Sequence, residues 1–227
     1  YWNKEHFSTL KGGNWGKPTY ETFSFELSFF VPHDMESLVR KCGGEKAFTQ
    51  RLDTFFTHKI WDQRYHIGLF QIANEPGFLI PTLYNYVNQQ NKTAKIVRYI
   101  LKNRYKTTRD GIPGNDDSGS MSAWYIFHSL GFYPNAGQDV YLISSPIFKE
   151  TIIHLENGKA LKIVTKKNND KNIYIQSATL NGKPLTKNWF RHGDISEGGT
   201  LEFIMGPKPS KWSQNGELPP SMSNNHR

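Results

Sequence analysis

The spacing of apolar residues changes close to Tyr133, and this change constrains the fold of the 227-residue chain more than any other feature. Up to about Leu130, apolar residues recur three and four positions apart, which is the helical period. After Pro134 they alternate or form short β-branched runs, which are typical of strands. We therefore predict an α+β chain with helices first and an antiparallel sheet after them. The predicted parts are a helical part at 1–133, a strand-rich part at 134–210 and a polar tail at 211–227.

The helical part contains recognisable helix ends. Asp34 is a good N-cap for a helix with apolar residues at positions 35, 38, 39 and 42, and Gly43-Gly44 is a good C-cap. Two further apolar repeats predict helices: Phe48, Leu52, Phe55 and Phe56, and then Ile96, Val97, Ile100 and Leu101. An aromatic-rich stretch covers 76–87, and another helix is predicted over 118–130. Several helices joined by loops indicate a helical array.

The strand-rich part is divided by turn signals. The predicted strands are 139–144, 151–155, 161–165, 172–176 and 201–205. Asn157-Gly158 and Asn181-Gly182 are expected to form type I′ hairpin turns, because these turns need a positive φ at both central residues and Asn and Gly tolerate it.

The formal net charge of +8 raises the question of an anionic partner. The excess is spread evenly, since 16 basic and 12 acidic residues lie within 1–133 and 12 basic and 8 acidic residues follow. Without a basic stripe or a recognition motif, nucleic-acid binding is not expected. No apolar run of about 18 residues occurs, so no membrane span is expected. The single cysteine, Cys42, excludes a disulfide within the chain, and the start at Tyr1 predicts a piece of a longer protein.

Acidic residues stand beside aromatic residues at three places. Asp116 and Asp117 lie in the Gly/Pro-rich loop GIPGNDDSG, directly before an aromatic helix. Glu75 precedes a proline at the entrance to the aromatic stretch. Glu21 and Glu26 lie among apolar neighbours, whose burial would raise the pKa of a carboxyl. Carboxylates framed by rings are what a glycosidase needs: an acid, a base and contacts for the sugar.

Each acidic site also has a structural interpretation. Asp116 and Asp117 suit an N-cap or turn before the next helix, and Glu75 suits a first helical turn, where its charge interacts with the dipole. Glu21 and Glu26 suit the surface of a strand or helix. The spacing of His and Cys residues does not match a zinc site, and the chain lacks a phosphate-binding loop and a dinucleotide fingerprint. From the residues alone, a carbohydrate enzyme is one interpretation among several.

Longer strings in the chain resemble family 92 of the glycoside hydrolases, the calcium-dependent exo-acting α-mannosidases, and in particular its subgroup with NEPGFL and GNDDSG. These strings are FFVPHD at 29–34, ANEPGFLIPTLYNY at 73–86, GIPGNDDSGSMSAWYIFHSLGFYPN at 111–135 and SATLNGKPL at 177–185. The resemblance extends in consistent order from about Tyr20 to Lys208. It implies an N-terminal β-sandwich followed by an (α/α)6 barrel, of which this chain would contain the later helices and a closing strand-rich antiparallel segment.

The resemblance also implies catalytic roles. The family's general acid falls on Glu21, in a segment where two of the family's residues differ, and Glu26 is a rival for this role. The general base falls on Asp117. Asn115 occupies an assisting acidic position, and Asp116 is implied either to share the role of the base or to orient the loop.

Ligand contacts are implied at the other acidic segment. In this family, groups around NEP and the acidic loop hold calcium and the sugar. The resemblance therefore implies Asn74, Glu75 and Asp117 as calcium ligands. It also implies Asn74 and Glu75 as sugar contacts. Phe78 is expected to contact the sugar by stacking. Further candidates for stacking are Tyr84, Trp124 and Tyr125, although Trp124 on a helix also suits a core position.

The implied activity is calcium-assisted hydrolysis, with inversion, of terminal α-1,2-linked mannose from N-glycans or mannan. The implied partners are a mannose-containing oligosaccharide and the missing β-sandwich and early barrel helices of the same protein. Secretion, or passage through the secretory pathway, is expected from such substrates, and the sequon at Asn91 agrees with it. The alternative is an inactive fragment, or a non-catalytic remnant that binds mannan or has a structural role.

Overall fold

The computed structural model describes residues 22, 24–57 and 66–224, and these residues confirm the expected α+β class. The α-helices are α1 (Ser24–Leu27), α2 (Met35–Lys41), α3 (Glu45–Thr57), α4 (Gln90–Asn103) and α5 (Ser120–Leu130). The 3₁₀ helices are Glu75–Gly77, Ile80–Val87, His192–Asp194 and Met222–Asn224. The strands are β1 (His66–Ile67), β2 (Phe70–Gln71), β3 (Phe132–Pro134), β4 (Val140–Ile143), β5 (Glu150–His154), β6 (Ala160–Lys166), β7 (Tyr174–Leu180), β8 (Lys183–Pro184), β9 (Trp189–Arg191) and β10 (Gly199–Gly206).

The chain packs as two compact units that each contain separate stretches of sequence. The first unit consists of the described residues up to 80 together with 104–122 and 221–224. The second unit consists of 81–103 and 123–220. None of the helices among the described residues is long and apolar enough to cross a membrane.

The core of the first unit is a cluster of phenylalanine rings. Phe29 and Phe55 meet edge to face with their centroids 5.3 Å apart, and Phe48 and Phe70 extend the cluster. Such ring pairs contribute about 0.5–1.5 kcal/mol each beyond the area they bury. All the apolar residues predicted on the inner face of α3 are buried, which explains why this helix forms where its period indicates: Phe48, Leu52, Phe55 and Phe56.

Asp34 caps α2 as predicted and also fixes a distant segment. Its carboxylate accepts the Ser37 N–H at 3.3 Å. The same carboxylate accepts hydrogen bonds from the side-chain hydroxyls of Ser221 at 2.8 Å and Ser223 at 2.7 Å. These bonds hold the pKa of Asp34 well below its usual value, the bond from Ser223 having the largest effect. Residues 221–224 are thereby attached to α2.

A five-stranded sheet with the order β5-β6-β10-β7-β8 forms the centre of the second unit. β10 pairs parallel to β6 and antiparallel to β7, so it lies between two strands that precede it in the chain. Hairpin signals concern only strands joined by short turns, which is why they did not indicate this parallel pair. A smaller antiparallel sheet has the order β3-β4-β9. Inward side chains of both sheets share one core, which includes Leu161, Ile163, Phe190, Leu201 and Phe203.

The two predicted hairpin turns differ in the structure. Asn181 and Gly182 both have positive φ, 53° and 75°, as a type I′ turn requires. Between β5 and β6 only Gly158 has a positive φ, so the type I′ prediction for Asn157 is wrong. The Asn157 side chain instead accepts the Lys159 N–H at 3.1 Å, a local hydrogen bond that stabilises a different turn.

A buried amide cluster connects helical and strand residues within the second unit. Asn85 Nδ2 donates to the carbonyl oxygens of Ile143 at 2.9 Å and Asn188 at 3.0 Å. Thr93 Oγ1 donates to Asn85 Oδ1 at 2.8 Å, and Asn188 Nδ2 donates to the Asn85 carbonyl oxygen at 3.1 Å. Thr93 is the third residue of the sequon that begins at Asn91, and its side chain is on the buried face of α4.

Two indole hydrogen bonds attach the segment 211–220 to the second unit. Trp212 Nε1 donates to the Leu185 carbonyl oxygen at 2.7 Å. Trp189 Nε1 donates to the Glu217 carbonyl oxygen at 2.9 Å. The segment predicted as a polar tail is therefore attached to the strand-rich part by specific hydrogen bonds.

Candidate active site

The acidic segments noted in the sequence come together in the first unit. We call residues 74–77 the NEPG turn and residues 111–119 the acidic loop. Gly77 lies so close to α1 that a Cβ atom there would be 2.6 Å from Glu26 Oε1. Gly114 lies equally close to Ala73, since a Cβ atom on Gly114 would be 2.7 Å from the Ala73 Cβ. Glycine permits both approaches, so the chain around the NEPG turn contacts α1 on one side and the acidic loop on the other.

The NEPG turn holds Asn74 and Glu75 half-buried at the start of a 3₁₀ helix. Asn74 is extended, and Pro76 lies in the first turn, where its missing N–H leaves no hydrogen bond unmade. The Ser120 hydroxyl lies 3.1 Å from Glu75 Oε1 and 3.0 Å from the Asp116 carbonyl oxygen. One hydroxyl therefore links Glu75 to the acidic loop.

Asp116 organises the start of α5. Its Oδ1 accepts the Ser122 N–H at 2.9 Å, and its Oδ2 lies 3.0 Å from the Ser122 hydroxyl. Its carbonyl oxygen accepts the N–H groups of Gly119 and Ser120 at 3.1 and 2.8 Å. Both carboxylate oxygens are thus engaged by the helix, which matches the capping interpretation of Asp116.

Asp117, the next residue, is placed differently. It is exposed, and its φ is 44°. Ser118 and Gly119 follow with φ values of 62° and 91°, so three consecutive residues adopt the left-handed conformation. A non-glycine residue held there costs about 1–3 kcal/mol, and such strain is concentrated at functional sites. The loop therefore presents the Asp117 carboxylate outward while Asp116 anchors it, and Asn115 is exposed beside them.

Of the two candidates for the general acid, Glu21 lies outside the described residues and Glu26 lies within α1. Glu26 is 2% exposed. Its Oε2 accepts a hydrogen bond from Thr22 Oγ1 at 2.6 Å, and its Oε1 accepts the Gln71 N–H at 3.4 Å. Burial raises the pKa of Glu26 to about 7, against the smaller opposing effect of these two hydrogen bonds. Glu26 therefore has the raised pKa of an acid catalyst without access to solvent.

The aromatic candidates differ in exposure. Phe78 is 6% exposed, so its ring is almost completely buried. In the second unit Tyr84 and Trp124 are buried, and Trp124 packs against the His128 ring with centroids 4.1 Å apart. Trp124 therefore occupies a core position, which is the second of the two interpretations given for it. Tyr125 is half-buried.

The donor chemistry of the expected calcium ligands fits a hard cation. Asn74 carries an amide oxygen, and Glu75 and Asp117 carry carboxylate oxygens, whereas calcium takes about six to eight oxygen ligands. Nowhere in the described part of the chain do three or more His, Cys, Asp or Glu side chains gather into a possible metal cluster. Calcium binding at these residues therefore stays a prediction.

Sequence reasoning missed the residues that hold the acidic side chains in place. Ser120 and Ser122 contact Glu75 and Asp116, and Thr22 contacts Glu26. The two serines carried a usable signal, since Ser and Asp are frequent around helix starts. Thr22 carried none, because the sequence does not reveal which hydroxyl meets a buried carboxyl four residues away.

The family model for the catalytic domain of glycosyl hydrolase family 92 matches residues 2–207. The chain belongs to glycosyl hydrolase family 92. The acidic loop, the NEPG turn and α1 all lie within the matched residues, so these segments belong to a family 92 catalytic domain.

Similar proteins agree with the family. An uncharacterized secreted glycosidase from Arthroderma benhamiae is 40% identical over 209 residues, covering 90% of this chain and 26% of that protein. A family GH92 alpha-mannosidase from Bacteroides thetaiotaomicron, solved in complex with mannoimidazole, is 33% identical with a TM-score of 0.85, covering 88% of this chain and 28% of that one. A family GH92 inverting mannosidase from the same organism is 29% identical with a TM-score of 0.80, covering 95% and 32%. The chain thus spans about a quarter to a third of the length of these three proteins.

Proposed function

We propose that the whole protein is an exo-acting α-mannosidase and that this chain is the part of its catalytic domain that carries the general base. The observation that carries the proposal is the exposure of Asp117 on a left-handed loop that Asp116 anchors to the start of α5. Support comes from the membership in family 92 and from structural neighbours described as mannosidases, one of them inverting.

In the proposed mechanism the reaction is a single displacement. Asp117 accepts a proton from a water molecule whose oxygen attacks the anomeric carbon from the face opposite to the leaving group. Glu21 donates its proton to the glycosidic oxygen as the bond from that oxygen to the anomeric carbon breaks. Two carboxyl groups about 6.5–9.5 Å apart leave room for the water.

The neighbours of Asp117 have supporting roles in this proposal. Asp116 anchors the loop through Ser122, so that Asp117 meets the water with little reorganisation. Asn115 is exposed beside it and offers an amide that orients the water without adding a charge. Asn74 and Glu75 hydrogen-bond the sugar hydroxyls, since Ser120 already fixes the direction of the Glu75 carboxylate.

We further propose calcium as the cofactor, with Asn74, Glu75 and Asp117 among its ligands. A bound calcium would hold hydroxyls of the terminal mannose and favour a distorted ring. The remaining ligands would come from outside these three residues. This part of the proposal rests on the donor chemistry of these residues and on the resemblance to the calcium-dependent family.

The proposed substrate is terminal α-1,2-linked mannose on N-glycans or mannan, and the proposed location is outside the cell or in the secretory pathway. Support for the location comes from the relative described as a secreted glycosidase. Linkage preference is tested by comparing α-1,2-, α-1,3- and α-1,6-linked mannobiose as substrates. The proposal predicts the highest kcat/KM for the α-1,2 linkage.

The experiment that tests the proposal measures mannose release by the full-length protein and two matched variants. Asp117→Asn is expected to lower kcat by about 10²–10⁴-fold, the usual contribution of a positioned base. Asp110→Asn changes another exposed carboxylate of the same unit and should leave kcat unchanged. Removing calcium with a chelator should abolish release, and adding calcium back should restore it. An active Asp117→Asn variant would refute the assigned base, and a wild-type protein that releases no mannose would refute the activity.

A further inference from the structure

A carboxyl group is sealed inside the first unit between α1 and the NEPG turn. Glu26 belongs to α1, and both of its carboxylate oxygens have hydrogen-bond partners in other parts of the chain. One partner is the hydroxyl of Thr22, the residue that directly follows Glu21 in the sequence. The other is the main-chain N–H of Gln71, at the end of β2, three residues before the NEPG turn. A single side chain therefore connects two segments that flank expected site residues.

The fit around this carboxyl is close. A Cβ atom on Gly77 would lie 2.6 Å from Glu26 Oε1 and 3.1 Å from the Phe70 ring. Any larger residue at position 77 would thus displace either the carboxyl or the ring. The absence of a side chain at Gly77 lets the NEPG turn rest directly on Glu26, so the position of the turn depends on where the carboxyl lies.

The environment favours the uncharged form of Glu26. Within the described part of the chain, its carboxyl forms no ion pair with Lys, Arg or His. Burying a carboxylate without a cation is costly, and the group avoids the cost by keeping its proton. In the neutral form Oε2–H donates to Thr22 Oγ1 while Oε1 accepts the Gln71 N–H, so both hydrogen bonds are retained.

We propose that Glu26 is a positioning residue that, as a neutral carboxyl, ties Thr22 to Gln71 and so fixes the place of Asn74 and Glu75. The inference rests on the proposed function, because it assigns those two residues to the sugar site. The proposal gives Glu26 a role different from that of the general acid. A general acid must contact the leaving oxygen, whereas Glu26 is 2% exposed and both of its carboxyl oxygens are hydrogen-bonded within the protein.

Two substitutions separate a positioning role from an acid. Glu26→Gln keeps the shape and both hydrogen bonds, with Nε2–H donating to Thr22 and Oε1 accepting the Gln71 N–H, but it has no acidic proton. Glu26→Leu keeps most of the volume and loses both hydrogen bonds. Asp34→Ala is a control that weakens the same unit at the α2 contact with Ser221 and Ser223, which involves neither Glu26 nor the NEPG turn.

The experiment measures kcat and KM for mannose release by the full-length wild type and these variants. Glu26→Gln should remain within about 3-fold of wild type in kcat/KM, because its geometry is kept. Glu26→Leu should lower kcat/KM by about 10–100-fold, since a displacement of about 1 Å at a site is enough for such a loss. Asp34→Ala should keep the wild-type kcat. If Glu26→Gln loses as much activity as Asp117→Asn, Glu26 is an acid and the proposal is wrong.

Amide hydrogen exchange tests the tether without using activity. In peptides that contain Gln71, exchange should be equally slow in wild type and Glu26→Gln and at least about tenfold faster in Glu26→Leu, which corresponds to about 1.4 kcal/mol of lost protection. Thr22→Val, which removes one of the two bonds, should give an intermediate rate if Glu26→Leu fails to fold. Equal exchange in wild type and Glu26→Leu, or in wild type and Thr22→Val, would overturn the tether. An inactive wild type with the expected exchange pattern would instead refute only the proposed function.

Discussion

The two units use their buried polar side chains for different purposes. In the first unit, polar side chains connect loops to helices: Ser120 joins Glu75 to the acidic loop, and Glu26 joins α1 to β2. In the second unit, the amide groups of Asn85 and Asn188 mainly satisfy main-chain carbonyl oxygens inside a sheet-based core. The first arrangement fixes the segments that carry the acidic residues of the candidate site, and the second fixes the fold.

Left-handed residues other than glycine occur in both units, in different settings. The left-handed run at Asp117, Ser118 and Gly119 belongs to the first unit, where polar contacts with the following helix hold it in place. In the second unit Asn181 and Gly182 form such a run in a hairpin turn, for which they are preferred residues, and Asn88, Lys167 and Ser213 are single left-handed residues outside the hairpins. The run at Asp117 also closes a turn, in which the Asp116 carbonyl oxygen accepts the Gly119 N–H at 3.1 Å, but Ser118 stands where such turns prefer glycine. A left-handed residue that the turn does not favour is more informative about function than one that it does.

The largest expected effect on the fold concerns the amide cluster of the second unit. Asn85→Ala removes three buried hydrogen bonds, those to the carbonyl oxygens of Ile143 and Asn188 and the one from the Thr93 hydroxyl, and we expect a loss of about 2–4 kcal/mol of unfolding free energy. The Asn188 carbonyl oxygen still accepts the Ile143 N–H at 2.9 Å. Asn103→Ala, at the exposed end of α4, should change the unfolding free energy by less than about 0.5 kcal/mol. Hydrogen exchange of second-unit peptides in the full-length protein measures both. Equal effects would show that the cluster does not hold the unit together.

The next effect is a pH dependence of opposite sign in the two units. His128 is buried between Trp124 and Tyr133, and neither ring nitrogen has a hydrogen-bond partner among the described residues. Burial lowers the pKa of His128 from 6.5 to about 3, so the unfolded state binds the proton first as pH falls. The second unit should lose about 2 kcal/mol of stability between about pH 7 and pH 5.

The variant His128→Phe keeps a ring in this stack and should remove that loss. Glu26 in the first unit behaves in the opposite way, because its pKa is raised from 4.5 to about 7 and stability falls as pH rises through this interval. Glu26→Gln should remove that fall. Local unfolding free energies from hydrogen exchange between pH 5 and pH 8 measure both slopes. Slopes of the same sign in the two units would contradict the comparison.

The smallest effect concerns the contact between Asp34 and residues 221–224. Asp34→Ala removes the N-cap of α2 and the acceptor of the Ser221 and Ser223 hydroxyls, and we expect a loss of about 1–2 kcal/mol. Because the pKa of Asp34 is lowered in the fold, this contribution should be present at neutral pH and be lost as pH falls below about 4. The double variant Ser221→Ala/Ser223→Ala should have a similar effect, measured by exchange of α2 peptides. A stable double variant would show that the cap alone matters.

The fold was more predictable from the sequence than the site. The helices with Phe48 and Val97 and the strand with Leu201 follow directly from apolar periods, because burial selects the residues of one face. The parallel pair of β6 and β10 did not follow, because pairing between distant strands leaves no local signal. At the site, motif and loop composition indicated the acidic residues themselves. Their different roles depend on contacts such as Asp116 with Ser122, which only three-dimensional placement reveals.

The measurement that tests the central claim most directly is the anomeric form of the first mannose released. The full-length protein is mixed with α-1,2-mannobiose, and proton NMR follows the anomeric signals before mutarotation. Attack by a water activated at Asp117, on the face opposite to the leaving group, predicts that β-mannose appears first and equilibrates later. If α-mannose appears first, the carboxylate acts as a nucleophile or a different face is attacked, and the assignment of Asp117 as the base of a single displacement is contradicted.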